Sequence, residues 1–120
     1  VELRGLIGRP YAGRFGCAEL VREIMQQRGL DLPDFREMVS DGEKAEALVR
    51  HLREYADPVD RPEPGDVVLL AWAGHPAHLG VIAEPGVMIH SLETIGAHLE
   101  RIDRGRWRRR VLGYWRPRGV

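Results

Sequence analysis

From Asp66 to the end, the sequence is five short apolar runs separated by glycine and proline. The runs are Asp66–Trp72, His78–Ala83, Val87–Leu92, Ala97–Ile102 and Val111–Arg116, with Gly74, Pro76, Pro85-Gly86, Gly96 and Gly105 between them. Runs this short are too brief for stable helices. Their β-branched and aromatic content, bounded by turn residues, predicts strands. Glu84-Pro85-Gly86 is a tight turn, so the second and third strands form a hairpin and lie antiparallel. The half before Asp66 has a different period. Ala18, Leu20, Val21, Ile24 and Met25 recur at helical spacing and predict a helix from about Cys17 to Arg28, closed by Gly29. Ala45, Leu48, Val49, Leu52 and Tyr55 predict a second helix over 41–56, ended by Asp57-Pro58. Pro33 and its polar neighbours make the connection between the two helices. The stretch from Asp57 to Gly65, with Pro58, Pro62 and Pro64, reads as an extended linker. Helices followed by an antiparallel meander give an α+β class.

The size and charge of the chain narrow the partners. At 120 residues it is expected to be a single domain, 1–120, with one core. Acidic and basic residues balance at 18 each, so no net field points to nucleic acid or to an anionic membrane. No apolar run approaches the roughly 20 residues that span a bilayer, and no signal-peptide pattern is present. Arg104, Arg106, Arg108, Arg109, Arg110, Arg116 and Arg118 crowd the C-terminal end and read as a solvated face.

Cys17 is the one cysteine. In the first turn of a helix its thiolate faces unpaired backbone N–H groups and the positive end of the dipole, which suits a nucleophile. A small buried hydrophobe is the plainer alternative. Among five histidines, His78 and His90 flank the Pro85-Gly86 turn, so an antiparallel hairpin brings their strands side by side. One imidazole could then accept a thiol proton while the other orients it. His51 is expected half-exposed, His75 in a surface loop, and His98 apart from the pair. A zinc site of Cys17, His75, His78 and His90 is chemically open, although no compact ligand motif supports it.

Together these residues resemble the NlpC/P60 family of papain-like cysteine peptidases. The resemblance rests on Ile7-Gly8-Arg9-Pro10-Tyr11, Cys17 with Leu20-Val21, Gly29, Leu32-Pro33, Pro64-Gly65-Asp66-Val67-Val68, His78-Leu79-Gly80-Val81-Ile82 and Ile89-His90-Ser91. The IGRPY opening and the ending Trp107–Pro117 are closest in flavour to phage-tail and prophage members. The resemblance implies a cysteine-bearing helix packed on a five- to six-stranded antiparallel sheet. It implies Cys17 as nucleophile, His78 as general base, His90 as the residue orienting His78, and Tyr11 near the oxyanion. It implies no metal or cofactor. Its substrate would be a peptidoglycan stem peptide cut between γ-D-glutamyl and a diamino acid. Phage-tail proteins would be further partners, and the location a virion tail or cell envelope. Three positions depart from the family pattern, and the loop from Tyr11 to Cys17 is short. Ala18 stands where Ser or Trp usually follows the cysteine. Gly16 stands where Asp usually precedes the cysteine, and Glu19 puts a carboxylate near the thiol, opposing the helix dipole. A non-catalytic tail or wall-docking module of the same fold is therefore the second expectation, and a thiol acyltransferase the third.

Overall fold

The computed structural model describes residues 3–11, 16–32, 44–72, 75–92 and 95–119. Helices α1 (Gly16–Gln27) and α2 (Lys44–Tyr55) precede strands β1 (Ala56–Val59), β2 (Val67–Trp72), β3 (His75–Glu84), β4 (Val87–Leu92), β5 (Gly96–Arg101) and β6 (Val111–Pro117). Single 3-10 turns form at Arg4–Leu6 and Arg108–Arg110. The strands make one antiparallel sheet in the order β1-β6-β2-β3-β4-β5. The α+β fold is thus a helix packed on a six-stranded antiparallel sheet. The Pro33 connection, residues 41–43 of the expected second helix and Gly74 lie outside the described residues.

Both helices are amphipathic. The apolar stripe of α1 packs against β3 and β4, and α2 packs against β3 and β1. Leu20, Ile24 and Met25 are wholly buried there with Leu52, Val67, Leu69, Leu79, Val81, Ile89 and Ala97. Full burial of such a side chain is worth about 1.5–3 kcal/mol. Alternation sends the other residues of the same strands to the opposite face. Val68, Leu70, Ile82 and Met88 form a second cluster there, closed by Ile102 and Trp107 from the segment after β5. This second cluster contains no residue from either helix. Because both faces are covered, β4 reads as a continuous apolar run broken only by His90 and Ser91.

Three expectations change. Residues after Asp57 are not all linker, because Ala56–Val59 forms an edge strand paired with β6, Pro58 opposite Trp115. An edge strand tolerates a proline because one side of its backbone needs no partner. His75 belongs to β3, opposite Trp72, and not to a surface loop. His51 is buried, at 7% exposure, with its ring 5.0 Å from that of Tyr55. The C-terminal arginines also do more than face solvent. Arg116 makes two hydrogen bonds to Asp66, Nε to Oδ1 at 3.1 Å and Nη2 to Oδ2 at 2.9 Å, neutralising a buried carboxylate at the start of β2. Arg118 donates to the carbonyl oxygens of Arg53, Glu54 and Ala56 and to Asp57 Oδ1, so it caps the C-terminal end of α2.

Candidate active site

Cys17 is the second residue of α1, in its first turn, and is 4% exposed. It belongs to the helix-side cluster with Tyr11, Ala18, Leu79 and Ala97. Gly16 has a steric reason to be glycine. A Cβ there would collide with the carbonyl oxygen of Tyr11 and lie 3.0 Å from its carbonyl carbon. Tyr11 is itself fixed by the chain beside it, because Gly8 N–H donates to Ala97 and Ala97 N–H donates to Arg9. The segment carrying Tyr11 is thereby bonded to β5 and closes over the start of α1. Residues 12–15, which join Tyr11 to α1, lie outside the described residues.

The Tyr11 hydroxyl donates to Glu23 Oε2, and Arg9 pairs with Glu23 Oε1. Burial, then the bond to Glu23, pushes the phenol up to about 12, so it stays protonated. A phenol has one proton to give. In this arrangement Glu23 takes it, six residues or about 9 Å along the helix axis from Cys17. The Tyr11 hydroxyl is thereby engaged with Glu23. The sequence reading did not single out Glu23.

The histidines come together on the other face of the sheet. His78 Nε2 lies 2.8 Å from His90 Nδ1, with the two rings nearly perpendicular at 81°. His78 sits where the β2–β3 register shifts, between Leu70 and Ala71. Such a bulge re-aims side chains and is common next to active sites. Trp107 stacks on His78 with centroids 5.4 Å apart and 22° between planes, and meets His90 edge-on at 4.9 Å. Arg106 and Arg110 lie over the same indole, at 5.4 and 5.2 Å. His78 is 6% exposed and His90 is wholly buried.

The network does not stop at the pair. His90 Nε2 lies 2.6 Å from Glu100 Oε2, and His98 Nε2 lies 3.1 Å from the same oxygen. Trp107 Nε1 donates to it at 2.8 Å, and Arg106 Nη2 donates to Glu100 Oε1 at 3.0 Å. Burial alone would raise the Glu100 carboxyl, but the hydrogen bonds from His90, Trp107 and His98 outweigh it and hold it at about 2. Burial pushes His90 down to about 4 against the pull of Glu100, so its ring is neutral at pH 7. His98 is thus linked to the pair after all, through Glu100 and by a ring contact with His90 at 4.5 Å.

Of the four residues of the zinc alternative, the side chain of His75 lies outside what the structure describes, and Cys17, His78 and His90 form no shared ligand set among the described residues. Among the described residues the convergent set is His90, His98 and Glu100. Zinc ligands about 2.0–2.2 Å from the ion at tetrahedral angles stand roughly 3.3 Å apart. The 2.6 Å between His90 and Glu100 is instead the length of a charge-assisted hydrogen bond. The structure brings His78 and His90 together and adds Glu100 and Trp107. Among the described residues it shows no hydrogen bond from the Cys17 thiol to either imidazole.

Glu100 and Trp107 were both open to view in the sequence, Glu100 as a polar position of an alternating strand and Trp107 as part of the ending motif. Neither position carries a local signal that points to a histidine.

The NlpC/P60 family profile matches residues 6–116, nearly the whole chain. No curated protein matches it. Among solved structures it is similar to a protein from Staphylococcus aureus subsp. aureus Mu50 described as similar to a lipoprotein of the NLP/P60 family. The TM-score is 0.64 at 17% identity, over 94% of this chain and 38% of that one. It is equally similar in fold to an NlpC/P60 family protein from Bacillus cereus ATCC 10987, with TM-score 0.64 and 20% identity, over 91% of this chain and 35% of the other. The chain therefore spans little more than a third of the length of either protein. Helix order, sheet and profile agree, and this chain belongs to the NlpC/P60 family.

Proposed function

We propose that the chain is a cysteine peptidase that hydrolyses an amide bond in peptidoglycan stem peptides, of the γ-D-glutamyl to diamino acid type, with residues 1–120 as one domain. The observation that carries this reading is the contact of His78 Nε2 with His90 Nδ1 in a chain whose family is generally one of cell-wall peptidases. In this reading His78 takes the proton of the Cys17 thiol and the sulfur attacks the scissile carbonyl carbon. The resulting oxyanion is held by the backbone N–H of Cys17, which as an early helical N–H has no partner within the helix. The C–N bond breaks as His78 returns the proton to the leaving amine. Water, deprotonated by His78, then cleaves the thioester and restores the thiol. His90 orients His78 and supports its cationic form. Tyr11 acts here through Glu23 and Arg9, shaping the segment that closes over the start of α1.

The test is incubation with purified muropeptides and mass spectrometry of the products. Wild type is expected to release fragments split at the γ-D-glutamyl bond, and Cys17→Ala and His78→Ala to release none. Absence of cleavage by wild type would sink the reading. It would favour a non-catalytic wall-docking module, a second reading motivated by the placement of Cys17 in the helix-side cluster while His78 stacks on Trp107 on the other face of the sheet. That module predicts binding to cell walls that survives Cys17→Ala. Association with a phage tail rests on the IGRPY opening and the arginine-rich ending alone, and the two solved structures lend it no support.

A further inference from the structure

Proton positions in the histidine network follow from the groups that can only donate. Trp107 Nε1 and Arg106 Nη2 carry hydrogen and no lone pair, and both point at Glu100. Glu100 is therefore an acceptor at both oxygens, and any ring nitrogen bonded to it carries hydrogen. His90 Nε2, 2.6 Å away, is then the protonated nitrogen of a neutral ring, and Nδ1 holds the lone pair. That lone pair faces His78 Nε2 at 2.8 Å, so His78 Nε2 carries its hydrogen and the lone pair of the neutral ring is on Nδ1. The reverse assignment would set a lone pair of His90 against a carboxylate oxygen inside a buried site, a costly arrangement.

We propose that Glu100 is the positioning residue that selects Nδ1 of His78 as the basic nitrogen, acting through the Nε2–H tautomer of His90. The chain runs His78, His90, Glu100 across three adjacent strands, with Trp107 covering it and Arg106 and His98 holding the carboxylate from its outer side. When the thiol gives up its proton, the S–H bond breaks, the electron pair stays on sulfur and an N–H bond forms at His78 Nδ1. No proton moves between the rings. The positive charge on His78 is met by the oriented dipole of His90 and, behind it, the carboxylate. A third partner that fixes tautomer and orientation is known to matter to a catalytic histidine in just this manner. The inference rests on His78 being the general base, but the tautomers can be read without any activity.

The experiment is long-range 1H–15N correlation spectroscopy of histidine-labelled protein at pH 7, paired with iodoacetamide alkylation of Cys17. In wild type both His78 and His90 are expected as Nε2–H tautomers with unprotonated Nδ1. A His90 ring protonated at Nδ1 overturns the proposal without recourse to any variant. In Glu100→Gln, whose amide can donate as well as accept, His90 is expected to lose its single tautomer. Alkylation at pH 7 is expected to slow by about 10- to 100-fold, by analogy with the loss of an outer partner of a metal-binding histidine. Unchanged tautomers and a rate within about twofold of wild type in a folded variant would overturn it, since that is below the smallest loss expected of such a partner. Wild-type tautomers as expected but no cleavage of muropeptides would defeat the peptidase reading while supporting the tautomer control.

Discussion

His78 and His90 touch at 2.8 Å although they are not opposite each other in the sheet. The residue opposite His90 is Gly80, and His78 is its diagonal neighbour two positions along the same face. Glu100 stands in the same relation on the other side, because His98 is opposite His90 and Glu100 lies two positions further. Diagonal partners are about 7–8 Å apart at Cα, within reach of long side chains. Gly80, opposite His90, has a steric reason of its own to be glycine. A Cβ there would lie 2.9 Å from Met88 Sδ, 3.1 Å from the Ile89 carbonyl oxygen and 3.2 Å from Val68 Cγ1. Gly80→Ala is expected to destabilise the fold by about 1–3 kcal/mol, the usual cost of overpacking. Urea denaturation of the variant checks this, and a cost within error of zero would show that the neighbours yield freely.

Acid should weaken the fold in two successive intervals. Burial lowers His90 from 6.5 to about 4, and burial also lowers His51. Glu100 sits at about 2 in place of 4.5. In each interval the unfolded chain binds more protons than the folded one, so stability falls as pH falls. The histidines act from about 6.5 downward and Glu100 from about 4.5 to about 2. Urea midpoints measured between pH 7 and pH 4 should drop for wild type. The drop should be smaller for His90→Asn, which keeps the contribution of His51.

Tyr11→Phe separates two roles for the phenol. Removing an oxyanion donor costs about 10²–10³ in kcat. Removing a hydroxyl that serves Glu23 costs stability instead, about 1.5–3 kcal/mol for a hydrogen bond to a charged acceptor. The structure predicts the second outcome, with muropeptide turnover of the folded variant within a few-fold of wild type. A loss of turnover without a loss of stability would return Tyr11 to the oxyanion.

Restoring the residue usual in the family before the cysteine should harm this protein. Gly16→Asp places a Cβ against the carbonyl of Tyr11. Either the Tyr11 segment or the start of α1 must shift, at a cost of about 1–3 kcal/mol. Thermal unfolding is the measurement, and a rise in the midpoint would show that the Tyr11 segment relaxes easily. Gly16 is thus tied to a local backbone contact, which accounts for one departure from the family pattern without reference to substrate.

The sequence by itself determined the elements and their class. Helical period over 17–28 and 41–56, and glycine or proline between the later runs, located both helices and five of the six strands to within a few residues, because those signals are local. The Pro85-Gly86 turn placed β3 beside β4 and so brought the strands of His78 and His90 together. The register that sets His90 opposite Gly80 comes from the irregularity between Ile82 and Glu84, which no local signal declares. Tertiary structure decided what no local signal carries. The edge strand Ala56–Val59 exists only because β6 returns to pair with it across some sixty residues, so a proline-rich stretch alone could not declare it. Glu100 meets His90 because β5 pairs with β4 in one register; a shift of one residue would turn it to the other face. Trp107 covers both histidines because the segment after β5 folds back over the sheet and buries an indole there. The candidate nucleophile and base could be read along the chain. The carboxylate that sets their proton is found only where three strands lie side by side.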